Sequence, residues 1–517
     1  MYNFNKYHIL NTNVLSWKQI LTKSNRKFLR LLFLIAIVSN LVSCNQKSKP
    51  GIEITPLSNR IDSYLNDCVS RGFSGAILVE KKGTIILNKG YGFANKEKKI
   101  LNTSETIYDI CSVSKQFTAS AILHLTESKK IKLTDSLKYF FSELPSDKEN
   151  ITIHQLLTHS AGFIRGIGEG DFDHIPHEEY FNKLFESQLL FQPGMKYEYS
   201  NAGYSILARI IELVSGKAYE NYLNINLFKP SGMTRTGYLL PLWNENLIAN
   251  EYLYNVSNQG NHIDRYKNDN KIAWPLKGNG GIHSTLDDMY KWHLSLKTNK
   301  VLSRESVEKL TQPYIPEDED GTSYYAYGWA IFTTDRKTKI VTHNGFNGVT
   351  YFEFIGLPEE DIVIIFSSNS FTRPTGRIAW TIEKMLFDKE YKPEPIEKDL
   401  IGVLYEYTER YTGSIANIDA SLEKKFANKF DKSYYLNRLG RIYLRQNIFD
   451  KAIAILKLNI QFFPNDGELW NTLGEAYIAA NLKEEAIDSF KKALILQPNK
   501  DCSWYKNSLN RLEQLEL

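Results

Sequence analysis

From Ser74 the chain reads SGAILVEKKGTIILNKGYGFAN, two apolar, β-prone runs on either side of Lys81, Lys82 and Gly83, a pattern that predicts a hairpin. Further on, Phe117, Ala121, Ile122 and Leu125 recur at helical spacing and predict a buried helix from Ser112 to about Ser128. Helical patterns and loops then alternate over residues 130–300, punctuated by QPGMKYEYSNAGYS and KGNGGIHSTLDDM. Strand signals return at Tyr325 in four short runs at hairpin spacing, YAYGWAIFTT, TKIVTHNG, GVTYFEFIGL and DIVIIFSSN, and a helix, GRIAWTIEKMLF, closes the unit. Strands at both ends with helices between them predict one α+β domain over 58–390. Its antiparallel sheet is completed by the N- and C-terminal segments and joined by a helical lobe.

The pattern changes beyond this unit. DKEYKPEPIEKD is charged and carries prolines, so 391–430 is read as a linker. From 431 to 517 a period of 34 emerges: Leu436, Leu439, Gly440, Tyr443, Ala452, Leu456 and Pro464 are matched by Trp470, Leu473, Gly474, Tyr477, Ala486, Phe490 and Pro498. This pattern resembles the tetratricopeptide repeat, an all-α helix-pair unit. Small residues such as Gly440 let paired helices approach while large ones fill the neighbour's groove. Two repeats rarely bury their own faces, so the last helix, 501–515, is expected to cap the stack.

At the other end, Lys23, Arg26, Lys27 and Arg30 precede an apolar run from Leu31 to Val38, with the small residue Ser43 before Cys44. Charged region, short apolar run and small residue describe a secretory signal over 1–43. The run is far short of the roughly 20 apolar residues of a spanning helix. Leu41, Val42, Ser43 and Cys44 resemble the bacterial lipobox, which implies lipidation of Cys44, a polar tether over 44–57, and an envelope lipoprotein facing the periplasm or the surface. The plainer alternative is an ordinary secretory signal with an incidental cysteine. Composition excludes little else: 42% hydrophobic and 24% charged residues fit folded material, and a net charge of +4 at pH 7 implies no nucleic-acid partner. Four scattered cysteines, without a C-x-x-C or Cys/His cluster, argue against disulfides and a structural zinc.

The chemistry is expected at ICSVSKQFTAS. Ser112 and Lys115 lie three apart, on one helix face, so the amine can reach the hydroxyl. The S-x-x-K spacing alone is weak, because it occurs six times, beginning at Ser24, Ser112, Ser306, Ser421, Ser489 and Ser503. Context separates them: only Ser112 opens a helix apolar enough to be buried within the α+β unit. To act on a serine at neutral pH, Lys115 must be deprotonated by burial or by neighbouring positive charge, since a free lysine titrates near pH 10.4.

SVSKQFTA, LLTHSAG, PGMKYEYSNAGY, GNGGIHST and THNGF, in that order, resemble the serine β-lactamase and penicillin-binding protein superfamily, in its class C β-lactamase-like branch. The resemblance implies a β-lactamase/transpeptidase-like fold and a hydrolase without a cofactor or metal. It casts Ser112 as the acylated nucleophile and Lys115 as its proton partner. Tyr199 is then the second base, passing a proton to the leaving group, and Asn201 holds Lys115 and the substrate carbonyl. His343, Asn344 and Gly345 form the strand that replaces the K-T-G of many relatives, and the N–H groups of Ser112 and Phe346 form the oxyanion hole. Taken singly, each residue has a plainer reading: a helix cap at Ser112, a core aromatic at Tyr199, a strand histidine at His343. His159 is read as closing a loop, Gly280 and Gly281 as a tight turn, and Cys111 as a small buried residue. The implied substrate is a peptide or amide such as D-Ala-D-Ala, an ester or a β-lactam, because a histidine at the K-T-G lysine is weak evidence for binding a carboxylate. The expected partners are that small substrate, a membrane through Cys44, and a protein or second copy through the repeats. The alternative is a non-catalytic sensor or scaffold working through the repeats.

Overall fold

The computed structural model describes residues 55–168, 170–426, 432–496 and 502–516. The segment read as a secretory signal, Cys44, and the expected tether up to residue 54 lie outside them. The anticipated hairpin is β1 (Gly75–Lys81) and β2 (Thr84–Tyr91). The late strands are β3 (Ile315–Pro316), β4 (Ser323–Tyr325), β5 (Ala330–Thr333), β6 (Lys339–Phe346), β7 (Tyr351–Leu357) and β8 (Ile362–Ser368). Together they form one eight-stranded sheet in the order β2-β1-β8-β7-β6-β5-β4-β3. Every pair is antiparallel, and β1 lies against β8, with Gly75 opposite Ser368 and Lys81 opposite Ile362. The N-terminal hairpin thus completes a sheet built mostly from the C-terminal end of the domain, as the pattern predicted.

The central strands are apolar on both faces because both are covered. On β1, Ile77 and Val79 face a core shared with Ile61 and Leu65 of α1 (Pro56–Val69) and Ile378 and Ile382 of α4 (Ile378–Phe387). Ala76 and Leu78 face the opposite core. That second core holds Phe117, Ile122 and Leu125 of α2 (Lys115–Glu127) and Ile206, Leu207 and Ile210 of α3 (Asn201–Ser215). The two-residue period of a strand sorts these side chains between the layers. Every position of β7 and β8 is buried, and all but Glu353, Ser367 and Ser368 are apolar or glycine, as a middle layer requires.

The stretch expected as a linker, 391–430, contains two helices, α5 (Leu400–Arg410) and α6 (Asp419–Phe426). Leu404, Leu422 and Phe426 share a core with Leu436, Leu439 and Ala452. Charge and prolines between Asp388 and Asp399 mark only the entry to this region, where Asp399 caps α5 by accepting from the N–H groups of Ile401 and Gly402. The 34-residue period appears as the pairs α7 (Lys432–Arg445) and α8 (Phe449–Phe462), then α9 (Gly467–Ala479) and α10 (Lys483–Leu496), followed by α11 (Ser503–Glu516). Among the described residues, no helix is long and apolar enough to cross a membrane.

Candidate active site

The segment that leads into α2 makes a tight turn before it becomes helical. Ser112 sits in a 3-10 turn, Cys111–Ser114, one residue after Cys111, which holds a left-handed φ of 49°. An L-residue adopts that conformation only at a cost, so the turn must be held by its surroundings. One restraint is local: the Cys111 N–H donates to Asp109 Oδ1 at 2.7 Å. Ser112 remains partly exposed, while Lys115, at the first position of α2, is fully buried.

Lys115 Nζ lies 3.2 Å from Ser112 Oγ, 2.9 Å from Asn201 Oδ1 and 2.7 Å from the main-chain oxygen of Asn279. Burial drives its pKa well below the ordinary lysine value, and the Arg165 guanidinium adds to the effect. A neutral amine has two N–H donors and one lone pair. Asn201 Oδ1 and Asn279 O can only accept, so they take the two donors, and the lone pair is left for the one partner that can donate, the Ser112 hydroxyl.

Tyr199 and Asn201 flank the N-cap of α3. The Ser200 hydroxyl accepts from Gly203 N at 3.1 Å, and the N–H of Ser200 donates to His159 Nδ1 at 3.1 Å. His159, buried with φ of 56°, also accepts from Glu198 N through its carbonyl at 2.9 Å, and its ring packs 4.3 Å from that of Tyr199. It therefore shapes the Tyr-Ser-Asn loop, in keeping with its reading as a loop-closing residue. The Tyr199 ring lies 4.7 Å from Lys115 Nζ. Burial pushes the phenol's pKa above its usual value, and a hydrogen bond with Ser112 only partly offsets this. Tyr199 consequently keeps its proton at neutral pH.

Opposite stands the end of β6. Its pairing with β5 stops at Thr342, whereas His343 to Phe346 continue to pair with Phe354 to Tyr351 of β7. The edge left open by β5 runs along the Cys111–Ser114 turn. A Cβ at Gly345 would sit 2.4 Å from the Ile110 carbonyl oxygen and 2.9 Å from Ser112 N, so only glycine allows the approach. Asn344 and Phe346 are exposed, Phe346 with its ring 4.8 Å from that of Phe371. His343 points inward: Nε2 lies 3.0 Å from Tyr325 OH, Nδ1 lies 2.6 Å from the Asn344 carbonyl, and burial beside Lys115 lowers its pKa to about 3. The structure thus brings together Ser112, Lys115, Tyr199, Asn201 and the Gly345 backbone, and buries the His343 side chain with both ring nitrogens engaged.

Residues 61–386, well over half the chain, match the family model described as Beta-lactamase. The chain belongs to the beta-lactamase family. A curated relative in Bacillus subtilis, named "Putative penicillin-binding protein PbpX", is 30% identical over 341 residues, 66% of this chain and 81% of the relative. A solved octameric penicillin-binding protein homologue from Pyrococcus abyssi superposes with a TM-score of 0.54 at 28% identity, covering 64% of this chain and 77% of that one. FmtA from Staphylococcus aureus, at 21% identity and a TM-score of 0.53 over 70% of this chain and 97% of its own, shares the fold. Residues 467–500 match the tetratricopeptide repeat.

Within this beta-lactamase domain, two contributors escaped the sequence reading. Asn279 sits in the quoted KGNGG, but its part is played by a main-chain oxygen, which no side-chain pattern reveals. Its side chain anchors that oxygen, donating to Ser205 Oγ at 3.0 Å and Pro275 O at 2.8 Å. Asp109 lies only three residues before Ser112, and its role appears only once the strained turn it holds is visible. Near it, donor atoms of Asp109, Glu251 and His262 lie within 4.8 Å of one another, all buried.

Proposed function

We propose that the chain is a serine hydrolase of the cell envelope, anchored through lipid on Cys44, that cleaves a peptide or amide, ester or β-lactam bond by acylation of Ser112. The observation that carries this reading is the set of three contacts at Lys115 Nζ, two to pure acceptors and one to the nucleophile's hydroxyl.

In the first step the neutral Lys115 amine takes the Ser112 proton while Oγ attacks the carbonyl carbon. The carbonyl oxygen becomes an oxyanion held by the N–H groups of Ser112 and Phe346. Tyr199, still protonated, delivers its proton to the departing amine or alkoxide and is reprotonated by Lys115, which gives up the proton it took from Ser112. Water then attacks the acyl-enzyme with the same groups acting in reverse. Asn201 orients both Lys115 and the substrate carbonyl. Asn344 and Gly345 offer the open strand edge to an extended substrate, and the uncharged His343 supports Tyr325 from behind.

A fluorophosphonate and a fluorescent penicillin are expected to label the wild type at Ser112 and to leave Ser112→Ala unlabelled with its fold intact. A panel of β-lactams, D-Ala-D-Ala peptides and short-chain esters then fixes the substrate. Wild-type protein inert toward both probes and the whole panel would refute the reading.

The tetratricopeptide match favours a second activity alongside the first, binding of a protein or of another copy of the chain. Sedimentation of the full-length protein and pull-down with its repeat region test for each.

A further inference from the structure

Beneath the proposed oxyanion hole lies a buried polar cluster that the mechanism above does not use. His262 is placed between two carboxylates. Its Nδ1 is 3.0 Å from Asp109 Oδ2 and its Nε2 is 3.6 Å from Glu251 Oε2. A neutral imidazole carries one N–H and one lone pair, so it would aim that lone pair at an ionised carboxylate. An imidazolium instead sets its positive charge between the two carboxylates, as an ion pair with each rather than a hydrogen bond. Burial opposes the charge, but the contact with Asp109 and the field of Glu251 outweigh it and hold the pKa above the usual histidine value. Arg265 acts against the charge, and the titratable groups around the cluster also include Asp171, the low-pKa His283, and the Cys111 thiol and Tyr266 phenol, both pushed well above their usual pKa by burial.

The cluster's remaining contacts run to the two backbone segments that matter for acylation. On one side, Asp109 Oδ1 holds the Cys111 N–H of the strained turn immediately before Ser112. On the other, Asn347 Nδ2 donates to Asp109 Oδ2 at 3.0 Å and to Glu251 Oε1 at 3.1 Å. Asn347 Oδ1 in turn accepts from Val349 N at 3.0 Å and Thr350 N at 2.7 Å, fixing the turn that directly follows Phe346. These contacts link the residues adjoining both proposed oxyanion donors, which are 234 positions apart in the chain, and they do so with side chains that leave the reacting groups untouched.

We propose that Asp109, His262, Glu251 and Asn347 form a positioning cluster that sets the spacing between the Ser112 and Phe346 amides, so that disturbing it slows acylation while leaving nucleophile and substrate binding in place. This rests on the reading of Ser112 as the acylated residue. The cluster acts as a clamp on geometry: an oxyanion donor that drifts loses most of its worth, since its effect depends on being pre-aimed.

The test is the kinetics of labelling by the fluorescent penicillin, with saturable acylation resolved into a maximal rate constant and a half-saturating concentration. His262→Gln and Asn347→Asp are expected to lower the maximal rate constant by about tenfold to a hundredfold, with half-saturation within about twofold and labelling still reaching completion at Ser112. Asn347→Asp keeps the acceptor for Val349 and Thr350 but sets a third carboxylate against two others, so its rate relative to the wild type at the same pH recovers as the pH falls and protonates the cluster. A variant that is folded by circular dichroism and acylates at the wild-type rate overturns the proposal. So does a stoichiometric metal found by elemental analysis of the purified protein, because the cation between the carboxylates would then not be the imidazolium. Should His262→Gln fail to fold, the wild type decides: its acylation rate should fall on the alkaline side as His262 loses its proton, and a level rate there overturns the clamp. If the wild type does not acylate, or Ser112→Ala labels equally, it is the reading of Ser112 that has failed rather than the cluster.

Discussion

Lys115 is where burial becomes chemistry. A charged lysine in its position would face two acceptors and a hydroxyl without a counter-ion, and burial favours the neutral form. The base is present above its depressed pKa and is lost as the pH falls through it. Acylation of Ser112 is therefore expected to rise with pH along a limb that lies well below the usual lysine range, read from the labelling rate against pH. Lys115→Arg, which cannot supply a neutral amine, should lower the rate by about a thousandfold. Gly345 makes a steric demand of equal importance. In Gly345→Ala the new methyl would collide with the Ile110 carbonyl and Ser112 N, and β6 would have to move off the nucleophile turn. The expected result is a loss of about a hundredfold in labelling rate with little change in the unfolding midpoint. Both residues stand inside motifs quoted from the chain, S-V-S-K and H-N-G. Their candidacy was legible there because the motif's order along the chain carries information that spacing alone lacks. His343 was less legible: only the fold shows that the strand's pleat turns it inward, to Tyr325, while Asn344 and Phe346 face outward.

At the scale of elements, the sheet carries a buried acid. Glu353 on β7 accepts hydrogen bonds from Tyr351 and from Thr342 Oγ1, the latter at 3.0 Å, yet burial pushes its pKa up to about 7. In the unfolded chain a glutamate titrates near pH 4.5. The folded state thus binds the proton more tightly, and its stability falls as the pH rises from about 4.5 through about 7, then levels off. Glu353→Gln removes that dependence. It should be the more stable protein above pH 7, by up to about 3 kcal/mol, and match the wild type near pH 4, as measured by urea unfolding at the two pH values. The strands themselves were legible from their runs of β-prone apolar residues. Helices α5 and α6 were not, because charge and prolines near their start mask an apolar face, Leu404, Leu422 and Phe426, that acquires meaning only against the first repeat.

At the scale of the whole molecule, the helices that carry the candidate site residues, α2 and α3, stand on one of the two cores that sandwich the sheet, whereas the repeats have cores of their own. The two regions meet where the backbone of α5 at Gly402 passes the Tyr254 carbonyl, and where Arg445 donates to Gln259 at 3.3 Å. A lesion deep in the repeats should therefore stay there. In Gly474→Val, side-chain carbons would overlap the Phe490 ring, which a Cβ alone would meet at 2.7 Å, and the α9–α10 pair should lose about 1–3 kcal/mol. Hydrogen exchange is expected to show faster opening of α9 to α11, while Ser112 is labelled within about twofold of the wild-type rate.

Periodicity and motif order, both local properties of the chain, determined the α+β architecture and the repeats, and marked Ser112, Lys115, Tyr199 and Asn201 as a candidate set that the fold brings together. Tertiary structure alone decided the rest. The Lys115 pKa is lowered because helices and loops distant in sequence exclude water from it, and its second acceptor is a main-chain oxygen with no signature in the sequence. The strained Cys111 turn is held by Asp109, and Asp109 in turn by His262 and Asn347, 153 and 238 residues later. Electrostatics and steric fit depend on what surrounds a group in space, and the chain order records that only where neighbours in space are also neighbours in sequence.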